Sequence, residues 1–160
     1  MLYNLRNMKR GFILFSNLLL AALLGGCASV PMSNVQDDLM RKEFAPPSES
    51  KSGIYVFRDG TFGTALTKYI KINGEVIGTT APKTYFYTEI QPGLHTVTTE
   101  SEFGENSVVL QTIAGENYFI RQYLKMGVFV GGSDLTIVDS EAGQKGVLKC
   151  ELAKSFEENW

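Results

Sequence analysis

The dipeptide Asn73-Gly74, set between "YIKI" and "EVIG", constrains this chain more than any other short stretch. A two-residue type I′ turn needs positive φ at both central positions, and Asn-Gly tolerates that best. Before it, Ile70 and Ile72 alternate with Tyr69 and Lys71, the period of a half-buried strand. The segment therefore predicts a β-hairpin, with Gly78 ending or bending the return strand. From Gly53 onward the same texture continues: runs rich in Tyr, Phe, Ile, Val and Thr, punctuated by glycine. "GIYVFRD" is apolar on both faces, as a central strand covered twice would be. "TYFYTEI" sets Phe86, Thr88 and Ile90 against Tyr85 and Tyr87. Gln91-Pro92-Gly93 reads as a type II turn, Pro92 fixing φ at one corner and Gly93 supplying positive φ at the next. In "LHTVTTES" His95, Val97 and Thr99 share one face, so the histidine points partly inward. "SVVLQTI", "YFIRQYLKM" and "DLTIVD" add further strands. Val147, Leu148 and Leu152 recur at roughly helical spacing behind Asp139 and Ser140, which predicts a short C-terminal helix. Seven to eight short strands with turns every eight to twelve residues predict an all-β domain, an antiparallel β-sandwich or partly open barrel.

The first residues have another character. Arg6, Lys9 and Arg10 precede an apolar run from Gly11 to Leu24 that ends in Gly25-Gly26-Cys27. A basic region, a short apolar stretch and small residues at a cleavage point describe a secretory signal. The run is shorter than the ~20 residues that span a bilayer as a helix. "LGGC" resembles the lipobox of bacterial lipoproteins. That resemblance implies cleavage after Gly26, acylation of Cys27 and, since Ala28 follows, an outer-membrane location facing the periplasm. Met8 offers a second start besides Met1.

The expected organisation is a removed signal over 1–26, a lipidated, flexible tether over 27–52, a β-domain over 53–154 and a tail over 155–160. Within the tether, Ser33 to Phe44 suits a turn or two of helix with Ser33 as N-cap and Val35 and Leu39 on one side. Removing 1–26 takes away three bases and no acid, leaving 12 bases against 17 acids and a net charge near −5. That balance excludes a nucleic-acid partner and an electrostatic grip on anionic lipid.

"IYVFR" (Ile54–Arg58), "INGEVIG" (Ile72–Gly78) and "QPGLHTV" (Gln91–Val97) together resemble a family of small bacterial envelope lipoproteins of unknown function. Ile70–Val97 is also similar to PEGA-type β-domains. The resemblance implies a compact β-sandwich displayed at the cell envelope and assigns no catalytic residue or cofactor.

The residues offer little reactive chemistry. His95 is the single histidine, and no Gly-x-Ser-x-Gly elbow accompanies it. One histidine and the thiol of Cys150 cannot supply the three or four donors of a zinc site. With Cys27 acylated, Cys150 has no disulfide partner and reads as a buried apolar group. Arg58, Tyr69, Tyr85, Tyr87, Arg121 and Tyr123, gathered on one face, would form a surface for a peptide or glycan. In "KMGVFVGGSD", Val128, Phe129 and Val130 read as core on a strand that bends at Gly131-Gly132; exposed, they would touch a partner or the membrane. The function expected is a non-enzymatic interaction module for another envelope protein, peptide or glycan, attached to the membrane through acylated Cys27. Two alternatives stand beside it: an assembly factor that pairs through sheet edges, and an envelope hydrolase or redox protein using His95 or Cys150.

Overall fold

The computed structural model describes residues 29–156, so the expected signal, Gly26 and Cys27 lie outside the described residues. The elements run α1 (Val35–Arg41), β1 (Ser52–Arg58), β2 (Lys68–Ile72), β3 (Glu75–Thr80), β4 (Thr84–Ile90), β5 (Gly93–Ser101), β6 (Gly104–Thr112), β7 (Asn117–Lys125), β8 (Gly132–Val138), α2 (Ser140–Val147) and β9 (Glu151–Leu152). Two sheets pack face to face: sheet I in the order β8-β7-β1-β4-β9, sheet II in the order β3-β2-β5-β6. The β-sandwich with a short C-terminal helix is the expected class. Sheet I is mixed, however: β1 pairs antiparallel with β4 but parallel with β7, and β9 is parallel to β4.

The strand alternation is what makes two cores. Ile54, Val56, Phe86, Ile90, Ile120 and Leu135 of sheet I meet Ile70, Ile72, Ile77, Val97 and Leu110 of sheet II. Burying each such side chain contributes about 1.5–3 kcal/mol. Buried polar residues also link the sheets, Ser133 by bonding Thr99 and Glu100 O. Gln122, wholly buried, donates to Thr99 Oγ1 at 2.7 Å and accepts from Thr80 Oγ1 at 2.5 Å, tying the sheets at a fixed register. The opposite residues of sheet I, Tyr55, Phe57, Tyr85 and Phe119, form a second core with Val147, Cys150 and Leu152. β1 is thus covered twice, as its sequence predicts.

The structure corrects the reading of a flexible tether over the described part of it, residues 29–52. Val30 packs on the first core, Met32 bridges Ala153, and Ser33 N donates to Leu152 O at 2.9 Å. The helix begins one residue later than expected: Asn34, not Ser33, is the N-cap, and its Oδ1 accepts the Asp37 N–H at 2.9 Å. Beyond it Phe44 lies 5.6 Å from the Tyr55 ring and 5.9 Å from that of Phe119. Asn117 Nδ2 donates to Ala45 O at 2.9 Å, and Pro47 is buried. The aromatic face of sheet I needs a cover, and this polar, proline-containing segment supplies it.

The two turns behave differently. Asn73 and Gly74 have φ of 52° and 89°, the paired positive values of the expected hairpin. At Gln91-Pro92-Gly93, Gly93 has φ of 150°, far from a type II value. The reason is topological: β4 lies in sheet I and β5 in sheet II, so this turn is a corner between sheets.

Candidate functional site

The six residues expected to share a face do not. Inward parity with Ile54 and Val56 carries Arg58 into the body, where it is 1% exposed. Its Nη1 donates to Leu66 O at 2.7 Å, and its Nη2 to Gly63 O at 2.8 Å and Phe62 O at 3.3 Å. Burial pushes this guanidinium below its ordinary value. Tyr85 is buried beneath α1. Tyr87 is half-buried, with the Arg41 guanidinium 4.2 Å above its ring and its hydroxyl donating to Glu89 at 2.8 Å. Tyr69 sits on sheet II, donating to Glu105 at 2.8 Å. Arg121 and Tyr123 are on sheet I, paired with Asp59 at 2.7 Å and Asp134 at 3.4 Å. Strict period-two reading would have placed Arg58 inside; only tertiary structure separates the tyrosines.

The two reactive candidates are likewise engaged. His95 Nε2 donates to Gln91 O at 2.8 Å, while Nδ1 accepts from Asn73 Nδ2 at 2.9 Å. Asn73 Oδ1 in turn accepts the Thr96 N–H at 3.1 Å. The ring therefore stitches the Asn73-Gly74 hairpin to the Pro92 corner, with neither nitrogen left for a substrate. Cys150 is 2% exposed, its Sγ is 3.4 Å from Gly146 O, and burial, with Asp59 adding to it, pushes its pKa up to about 12. Burial of this kind disfavours the thiolate, the reactive form. Among the described residues, no group of three or more His, Cys, Asp or Glu is placed to hold a metal, and no helix is long and apolar enough to cross a membrane.

The feature that stands out is one end of the sandwich, and it corrects the assignment of Val128–Val130 to the core. β5, β7 and β1 all run toward this end. There the β7–β8 loop exposes Met126, Val128, Phe129 and Val130, and the β5–β6 turn exposes Phe103; Phe129 is 84% exposed. The Phe103 and Phe129 rings meet edge to face at 6.5 Å. Such a loop must satisfy its own backbone donors, and Glu102 does this. Its carboxylate accepts the N–H groups of Phe129 at 2.5 Å, Val128 at 2.8 Å and Val130 at 3.1 Å. Beside it, Arg58 holds the carbonyls of the β1–β2 loop, which adds Phe62 to the exposed set. Two charges of opposite sign thus fix two adjoining loops, and the neighbouring ions Lys125–Asp134, Arg121–Asp59 and Lys68–Glu100 are paired internally. The end is thus an apolar centre with a neutralised polar rim. The sequence signal for it is Gly127 and Gly131-Gly132 bracketing the apolar triplet; the partner carboxylate, 27 residues before Phe129, leaves no local trace.

Comparison with known proteins adds kinship. Residues 48–133 match the family model described as "Protein of unknown function (DUF2846)", a span that holds Arg58, Asn73, His95 and Glu102. A Haemophilus influenzae protein described as "Uncharacterized protein" is 44% identical over 135 residues, 84% of this chain and 80% of that protein. No solved structure matches. With more than half of its length matched, and with so similar a relative, the chain belongs to the DUF2846 family of proteins of unknown function.

Proposed function

We propose that this chain is an envelope lipoprotein, held in the outer membrane through acylated Cys27 and facing the periplasm, whose β-body is a non-enzymatic interaction module. The lipobox-like "LGGC" supports the anchor. The observation that carries the module is the apolar end: five exposed side chains, Phe103, Met126, Val128, Phe129 and Val130, on loops held in place by Glu102. Clustered exposed apolar side chains of this kind mark interaction sites. Preorganisation lowers the entropy lost on binding, which favours a partner of defined shape, an envelope protein or peptide. The engagement of His95 and Cys150 within the fold makes a hydrolase or redox role the weaker reading. Sheet-edge assembly would use β8 or β6, since Met32 bridges beside β9 and Phe156 N donates to Ile77 O of β3 at 2.9 Å.

The test has two arms. Cys27→Ser should abolish incorporation of labelled palmitate and release the protein from the membrane fraction. Phe103→Asp with Phe129→Asp should leave folding unchanged yet fail to complement a deletion strain, and a photo-crosslinker at position 129 should give a discrete adduct absent with the crosslinker at Thr136. Full complementation by the double variant would refute the module.

A further inference from the structure

We propose that the helical layer over sheet I is the membrane-facing side of the body, with the outward surface of α1 resting on the bilayer that holds Cys27. The inference rests on the anchor proposed above and adds the orientation of the body.

It begins from the pattern of α1, which is built inside out. Asp38 and its partner Lys42 are turned toward the protein, and Arg41, its side chain 43% exposed, lies at the edge. Asp38 Oδ1 accepts the Leu152 N–H at 2.9 Å and its Oδ2 pairs with Lys42 at 2.7 Å, while the Arg41 guanidinium lies 4.2 Å over Tyr87. Asp37, on the flank, is bonded to Asn34 Nδ2 at 2.7 Å. The outward surface holds Val35, Gln36, Leu39 and Met40, with Val35 72% and Leu39 58% exposed. No residue of the helix is buried. A surface helix in water places its apolar stripe toward the core and its charges outward. This one does the reverse, and the cost of wetting three apolar side chains disappears once that surface meets hydrocarbon. Met32 and Phe156, both exposed, line a groove beside Met40 whose other walls carry the polar groups of Asp37, Arg41 and Lys154.

The covalent chain identifies the occupant. Val30 already packs on the core, and Cys27 is three residues before it. Fully extended, three residues span only about 10 Å. Acyl chains attached at Cys27 therefore enter the bilayer within that distance of Val30, and Val35 follows five residues later. Sheet II lies on the other side of sheet I from α1, so its outer surface, with Leu94 and Val109, faces away from the membrane.

The experiment uses the mature, acylated protein in nanodiscs of phosphatidylethanolamine and phosphatidylglycerol. Single cysteines replace Val35, Leu39 or Val109 and carry a nitroxide label; buried Cys150 stays unlabelled in the native protein, and a Cys150→Ala background checks this. Intact mass first establishes the acylation. Power saturation should then show labels at 35 and 39 shifted from collision with an aqueous nickel chelate to collision with oxygen, and the label at 109 still aqueous. Aqueous labels at 35 and 39 on acylated protein would overturn the orientation and leave the anchor standing. An unmodified Cys27 would overturn both.

Discussion

Glu102 accepts the backbone N–H of Phe129 at 2.5 Å, and through it a single carboxylate shapes the whole exposed loop from Val128 to Val130. The Phe129 amide holds this carboxyl below its ordinary value of 4.5; desolvation opposes that, and the Val128 and Val130 amides reinforce it. The consequence for stability has a definite sign. A depressed folded-state value means the contribution is complete above the unfolded-state pKa and is lost as pH falls through the folded-state one. The loop should therefore keep its shape at neutral pH and loosen only in acid, below that ordinary value. Glu102→Ala should mimic the acid state at pH 7. Amide exchange at Val128, Phe129 and Val130 should lose its protection in that variant, and Glu102→Gln, with one acceptor oxygen, should retain part of it. Unchanged protection in Glu102→Ala would show that the loop is fixed by something else.

His95 and Asn73 make the second testable pair. Each should cost about 0.5–1.5 kcal/mol when its side chain is removed, because hydrogen bonds between partly exposed groups are lost. Asn73→Gly is the cleaner change at that position, since glycine accepts the positive φ and only the side-chain bonds are lost. Combined with His95→Ala, it should destabilise by at least ~0.5 kcal/mol less than the sum of the single changes, the mark of shared partners. Urea unfolding of the four proteins measures this. Strict additivity would mean that the two turns are not coupled through the ring.

Local rules read this chain well and long-range ones poorly. Asn73-Gly74 gave its turn away because a two-residue hairpin is decided by two φ angles. The central position of β1 followed from apolar residues at Ile54 through Phe57. What escaped is what depends on distant partners. The parallel pairing of Gly53 with Asn117 joins strands 64 residues apart. The stretch before Ser52 looks like a linker by composition, yet it carries Phe44 onto the ring cluster of Tyr55 and Phe119. Gly143 and Gly146 are poor helix formers inside α2, and their reason is spatial. A Cβ at Gly146 would come within 2.6 Å of Phe57 Cζ, and one at Gly143 within 2.6 Å of Phe119 Cδ1. The exposed end was misassigned because an apolar triplet between glycines has the same composition whether it is packed or presented.

Cys150 should behave as a core residue in solution. Native protein at pH 8 should be silent to a thiol-reactive chromogenic disulfide, and one equivalent should react after unfolding in guanidinium. Burial holds the thiol far from ionisation, so raising the pH to 9 should not speed the native reaction beyond the rate of global opening. Rapid native labelling would reopen a redox role.

Arg58 carries the last prediction, because it links the core to the exposed end. Its guanidinium is wholly buried and bonds three carbonyls of the β1–β2 loop, those of Phe62, Gly63 and Leu66. Arg58→Met keeps most of the side-chain volume and removes the buried charge, but it takes the donor from Leu66 O and Phe62 O, while Gly63 O keeps the Leu66 N–H. Each stranded carbonyl costs about 1–3 kcal/mol, part of which is offset by the desolvation that the charge no longer incurs. The net loss should be about 2–4 kcal/mol in urea unfolding, with Arg58→Lys intermediate because an ammonium has three donors but no planar fork. The exchange protection at Leu66, whose amide bonds Gly63 O at 2.9 Å, should fall before that of the strands. A fully stable Arg58→Met protein with an ordered β1–β2 loop would refute the claim that this cation fixes it.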